Sequence, residues 1–162
     1  MWSASQIHLL VVHLPVVGCP FVLVLLLLGH RLKSDLLMRV GYGFLTAVAA
    51  FGVVAYYSGP PAFEGLESEL AAERPWVEQH ALIARAAFVV LVVAGVLAVQ
   101  AWLQFLQEEP PGRWLRRSIL ILLLVATYLL AWSAHLGGQI RHPEIRHPGL
   151  PLFPHLQESS SP

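Results

Sequence analysis

The histidine and arginine side chains are the residues of this chain best suited to chemistry, and they lie beside long apolar segments. His13, His80 and His135 are predicted to lie near the same end of three such segments, and Arg85 follows His80 by five residues, inside one of them. Imidazoles are the commonest protein ligands for metals, and an arginine inside a membrane segment is by default a functional residue. The pattern predicts a cofactor or metal site made by these four residues.

Two cofactor chemistries fit this set. In the first, the site holds one haem b, whose axial ligands come from facing helices, either His13 with His135 or His80 with His135. Arg85 then binds a propionate through charged hydrogen bonds. In the second, the imidazoles bind copper or zinc directly. Arg85 favours haem, because a guanidinium repels a bare cation.

The two histidines at the start of the chain cannot both face the same pocket. His8 and His13 are five residues apart, so their side chains diverge by about 140° around a helix. His13 lies deeper in the first apolar segment and is predicted to be the one that faces inward.

The elements that must position these side chains are four apolar segments, since about 20 apolar residues cross a bilayer. Hydrophobic residues make up 56% of the 162 residues and charged ones 12%, against about 25% charged in soluble domains. Short turns between the segments predict an all-α, up-and-down four-helix membrane bundle over residues 1–136. The proline-rich residues 137–162 are predicted to form an extended tail. The predicted spans are 7–29, 36–57, 81–106 and 119–136.

The charges between the spans predict the orientation in the membrane. The two short turns are basic, whereas the segment between the second and third spans carries five glutamates and one arginine. The positive-inside rule then places the turns in the cytoplasm and both termini outside. The expected location is a bacterial inner membrane, with the termini in the periplasm.

Composition also restricts the partners and activities. A net charge of zero argues against a nucleic-acid partner, and the single Cys19 excludes an intrachain disulfide and a c-type haem motif. No nucleophile stands in a recognisable motif, so no independent catalytic activity is expected. The acidic outer segment predicts docking of a basic periplasmic cytochrome c, and the apolar faces predict lipid and other membrane subunits as neighbours.

Two other kinds of function stay open. In one, the protein is a structural membrane subunit, and its histidines only brace helix ends by hydrogen bonds. In the other, it binds or moves copper or zinc. Three of the four spans are almost entirely apolar in their deeper parts, which argues against a transport path.

Three short motifs resemble those of a bacterial family of small four-span membrane proteins of unknown function. The first is His8-Leu-Leu-Val-Val-His13-Leu-Pro15, the second is His80, and the third is Ala134-His135-Leu-Gly-Gly138. Leu14 stands where that family usually has phenylalanine. The resemblance implies the four-span topology and haem b binding beside periplasmic cytochromes. The arrangement is also distantly similar to four-helix membrane cytochromes b. Because His30 is the only histidine at the cytoplasmic end, a single site near the outer face is expected.

Overall fold

Four long α-helices make up the protein in the computed structural model, which describes residues 2–142, 145 and 146. No β-strand occurs among these residues. The prediction of an all-α chain with four helices is confirmed. The helices are α1 (Ala4–Arg31), α2 (Asp35–Glu64), α3 (Arg74–Leu106) and α4 (Arg113–Arg141), and a single 3₁₀ turn, Ala71–Glu73, precedes α3.

Each helix extends beyond the apolar span predicted within it at one or both ends, because capping rather than hydrophobicity sets where a helix ends. The Ser3 hydroxyl accepts a hydrogen bond from the backbone N–H of Gln6, and the side-chain Oε1 of Gln6 accepts one from the backbone N–H of Ser3. This capping box starts α1. Ser34 caps α2 in a similar way through its hydroxyl.

At its other end α4 continues to Arg141. Residues 137–141, predicted to belong to an extended tail, are therefore helical. Beyond His142 only Ile145 and Arg146 are described, so the rest of the tail prediction lies outside the described residues.

Consecutive helices pack side by side with reversed direction. Gly41 of α2 lies against Leu26 of α1, and further along both helices Val48 lies against Gly18. Residue numbers thus rise along α2 as they fall along α1. The helices α3 and α4 also pack closely, α2 packs on α3, and a smaller contact between α1 and α4 closes the ring. The result is an up-and-down bundle.

The interior of the bundle is aliphatic and small-residue rich. Leu45, Leu91, Ile119 and Leu123 are fully buried, and a series of alanines lines α3. Many large apolar side chains cover the outside instead, including Phe21 on α1. All four helices are long enough and apolar enough to cross a membrane. This surface suits a bilayer environment, as expected from the sequence.

The two ends of the bundle differ in what they carry. The end where α1 begins and α4 finishes, together with the α2–α3 connection, is called the terminal end below. The opposite end, with the connections at residues 32–34 and 107–112, is called the turn end. The candidate site residues belong to the terminal half of their helices.

Candidate functional site

His8 is anchored across the first helix pair. Its Nδ1 lies 3.0 Å from the carbonyl oxygen of Ala55 on α2 and 3.1 Å from the hydroxyl of Ser58. Because a carbonyl oxygen only accepts, Nδ1 carries the proton and donates it. Gly59 lies beside the ring: a methyl group there would be 3.5 Å from Cε1 of His8. An alanine at this position would make an ordinary contact with the imidazole.

His80 repeats this arrangement across the second helix pair. Its Nδ1 lies 2.9 Å from the carbonyl oxygen of Ser133 on α4 and 3.3 Å from the hydroxyl of the same residue. Gly137 lies beside the ring, and a methyl group there would be 3.4 Å from both Cε1 and Nδ1. Like His8, His80 is half-buried.

The two imidazoles are held in the same way, one in each helix pair at the terminal end of the bundle. Both donate Nδ1–H to a backbone carbonyl, and within the described residues neither Nε2 makes a hydrogen bond. Metal-binding histidines are usually held in this way, with one ring nitrogen bonded to a carbonyl and the other left as the ligand. His8 and His80 are therefore the histidines whose geometry suits coordination.

His13 does not face the interior, so the prediction that it points inward in place of His8 is wrong. Its side chain is exposed, and its Nδ1 donates to the carbonyl of Leu9 in its own helix, at 2.6 Å. The buried face of α1 includes Pro15 and Val22. His8 continues this stripe at seven-residue intervals, which are two helical turns. That spacing is the sequence signal that identifies His8 and excludes His13.

The remaining predicted site residues lie on exposed faces. His135 is exposed and its Nε2 lies 3.0 Å from Nε2 of Gln139, one turn along α4. Arg85 is exposed, and about 140° around α3 separates it from His80. Within the described chain, no hydrogen bond or ion pair links His13, His135 or Arg85 to His80. Among the described residues, His80 is thus the one of the four predicted site residues with a hydrogen bond to another helix, and the roles of His13, His135 and Arg85 in binding stay predictions.

No group of three or more histidine, cysteine, aspartate or glutamate side chains suited to a metal ion forms among residues 2–142, 145 and 146. In that part of the chain the candidate centre is the pair of imidazoles.

An arginine clamp, made by Arg146, joins the segment after α4 to residues one and two turns before His80. The guanidinium of Arg146 donates to the carboxylate of Glu73 and, through Nε, to the carbonyl oxygen of Gln139 at 2.9 Å. It also lies 4.9 Å from the ring centre of Trp76, which precedes His80 by four residues. The clamp fixes the segment after α4 to the start of α3.

Most of the glutamates at the terminal end are already ion-paired, which reduces the negative charge available to a docking protein. Their partners are three arginines of the same end. The pairs are Glu67 and Glu78 with Arg74, Glu69 with Arg141, and Glu73 with Arg146.

Comparisons with protein-family models, with curated proteins and with solved structures found no match to this chain. The resemblance to a four-span family of unknown function therefore stays a prediction.

Proposed function

We propose that this chain is a membrane-embedded, cytochrome b-like electron-transfer subunit that binds one haem b between His8 and His80. The observation that carries this proposal is the pair of half-buried imidazoles, each with Nδ1 fixed by a backbone carbonyl and with no hydrogen bond at Nε2 from residues 2–142, 145 and 146. Bound haem would supply one-electron chemistry, and a six-coordinate haem takes both axial ligands from the protein. Zinc would need a third and usually a fourth ligand, so a pair of imidazoles fits haem better.

The glycines beside the two rings let each imidazole pack close to a neighbouring helix. A methyl group at Gly59 or Gly137 would already lie within 3.5 Å of the ring of His8 or His80. The hydrogen bonds at Nδ1 hold each ring in one orientation and increase the donor strength of Nε2. The protein's contribution is thus to fix two ligands and one tautomer.

The propionate partner is reassigned in this proposal. Arg85 lies on the exposed face of α3. Arg146 lies at the terminal end of the bundle, over Trp76, which precedes His80 by one helical turn. There a propionate can replace the Glu73 carboxylate as the acceptor of the Arg146 N–H groups.

The orientation follows from the charges of the connections. Basic residues at the turn end belong in the cytoplasm by the positive-inside rule, so we place the terminal end and both termini in the periplasm of a bacterial inner membrane. Electrons then exchange at that face with a partner such as a periplasmic cytochrome c, and other membrane subunits cover the apolar sides.

The same contacts favour a second candidate, a structural membrane subunit without cofactor. His8 joins α1 to α2, and His80 joins α3 to α4. Hydrogen bonds between membrane helices contribute about 0.6 kcal/mol on average and up to about 1.7 kcal/mol. In this function the imidazoles only join neighbouring helices through their Nδ1 hydrogen bonds, and the Nε2 atoms have no role.

An absorption spectrum of the purified protein in mild detergent separates the candidates. The haem proposal expects a Soret band and, after dithionite reduction, a sharp α band. His8→Ala and His80→Ala are expected to abolish both bands. The matched controls His13→Ala and His135→Ala, which remove exposed imidazoles, are expected to retain them.

Other results would decide against the pair or against haem. Bands that survive in His8→Ala and His80→Ala but vanish in the two controls would return the ligands to the exposed histidines. A colourless protein with stoichiometric copper or zinc would support the direct metal site. A colourless, metal-free protein that unfolds at a lower temperature in His8→Ala and His80→Ala would support the structural subunit.

A further inference from the structure

We propose that the Arg85 face of α3 binds a transmembrane helix of a different protein, and that this helix supplies a carboxylate to Arg85. The guanidinium is exposed and has no ion pair within the described residues. Its depth makes that state unstable in lipid. Trp76 and Trp102 lie about 39 Å apart along α3, and a hydrocarbon core of about 30 Å centred between them places the backbone of Arg85 about 9 Å below its surface.

Two helical turns from this arginine, toward the turn end, an apolar groove runs between α2 and α3. Gly95 approaches Ala49 so closely that a methyl group on Gly95 would be 2.4 Å from the Ala49 methyl. Small residues at the contact leave an open groove with a volume of about 180 Å³ between the two helices. Thr46, the polar residue of the groove, already donates its hydroxyl to the carbonyl of Tyr42. The groove therefore offers an apolar surface on which another helix can pack closely.

Arg85 and the groove belong to one face of α3. Val92, Val96 and Val99 line the groove, and each lies within about 40° of Arg85 around the helix axis. A helix seated in the groove and running along α3 thus passes the guanidinium two turns toward the terminal end. His80 projects from a different face, so this surface is separate from the imidazole pair.

Charge decides which helix fits. A second copy related by a two-fold axis along the membrane normal would bring Arg85 against its own equivalent, and two like charges in a low-dielectric contact repel strongly. The carboxylate of this chain closest to Arg85 along the same face is that of Glu78, which lies two turns closer to the terminal end and is bound to Arg74. Charges inside membranes are normally paired with one another. A partner helix with an aspartate or glutamate at the depth of Arg85 satisfies this requirement.

Photo-crosslinking in the native membranes tests this interface on the full chain. A crosslinking amino acid replaces Val96, which is 63% exposed, and the matched control replaces Leu124 of α4, which is 59% exposed. The Val96 position is expected to give an adduct with a transmembrane peptide of another protein. That peptide should carry an acidic residue about 16 Å toward the terminal end, the rise of eleven helical residues. The Leu124 position is expected to give no such adduct.

The charge requirement is tested by variants of Arg85. Arg85→Leu is expected to reduce the adduct at least about tenfold, because it leaves the partner carboxylate unpaired in the membrane, whereas Arg85→Lys keeps it. Combining Arg85→Glu with lysine at the partner's acidic position should restore the adduct. Thermal unfolding of the Arg85→Leu protein checks that the bundle itself is intact.

Four results would overturn the proposal. These are an adduct with a second copy of this chain, an adduct whose yield is unchanged by Arg85→Leu, and a partner peptide without an acidic residue at the expected depth. The fourth is a phospholipid that stays bound in native mass spectrometry, depends on Arg85 and occurs without a protein adduct. That last result would assign the guanidinium to a lipid phosphate.

Discussion

The contact between Gly95 and Ala49 sets the spacing of α2 and α3, and Gly95→Ala tests it. The added methyl would lie 2.4 Å from the Ala49 methyl, whereas nonbonded carbons prefer about 3.5–4.0 Å. The two helices must therefore move apart by more than about 1 Å. Neither atom belongs to a long side chain that can rotate away, so the strain falls on the backbone. At Gly52, by contrast, the nearest atom is a flexible methyl of Leu91.

The size of the effect follows from two opposing contributions. Overpacking of this kind costs about 1–3 kcal/mol, and replacing glycine by alanine within a helix recovers about 1 kcal/mol. Gly43→Ala is the matched control, because its added methyl would lie 3.7 Å from Trp102, an ordinary contact. Gly43→Ala should keep the helix gain without the clash. The free energies of unfolding of the two variants should thus differ by about 1–3 kcal/mol, or roughly 2–12 °C in midpoint.

Calorimetric unfolding in detergent measures this difference. The double variant Gly95→Ala with Ala49→Gly removes the opposing methyl and is expected to regain most of the lost stability, which makes the two sites non-additive. A Gly95→Ala protein as stable as Gly43→Ala would refute the close approach of the helices. Absence of rescue by Ala49→Gly would show that the strain arises elsewhere.

Three further outcomes are expected. Arg146→Gln should speed hydrogen exchange in the last turn of α4 about fivefold, which corresponds to a loss of roughly 1 kcal/mol of local stability. The control Arg74→Gln, which breaks exposed ion pairs, should leave this rate unchanged. Equal exchange rates in the two variants would argue against the clamp. Ser3→Ala should cost about 1 kcal/mol of local helix stability, seen as faster exchange in the first turn of α1, and Ser3→Asp should restore the wild-type rate. Gly137→Leu should fill the space beside the imidazole of His80 and remove the haem spectrum, and unchanged bands would show that this space is not used.

The helices could be predicted from the sequence because each span is longer and more apolar than any alternative structure allows. Their ends could not be read from apolar residues alone. The capping box of Ser3 starts α1 before its apolar run, and α2 continues through Pro60 and Pro61 to Glu64. Such ends depend on hydrogen bonds with individual partners, which hydropathy does not record.

That histidines lie in the terminal halves of the helices could be predicted from the sequence, but which of them make hydrogen bonds to another helix could not. That depends on the rotation of each helix, and a helix in lipid has apolar residues on every side, so the polar face that orients a soluble helix is missing. For α1 the half-buried position of His8 was readable from its spacing to Pro15 and Val22. The partners at Nδ1 were not, because the Ala55 and Ser133 carbonyls are backbone atoms that no sequence motif marks.

The two imidazoles are fastened within different halves of the molecule. His8 is bonded inside the α1–α2 hairpin and His80 inside the α3–α4 hairpin, and the hairpins are joined in sequence by residues 65–73. An iron bound by both rings would link the two hairpins to each other. Two separately expressed hairpins, cut within this connection, should then associate more tightly when haem is added, so that assembly of the bundle and loading of its centre become one event.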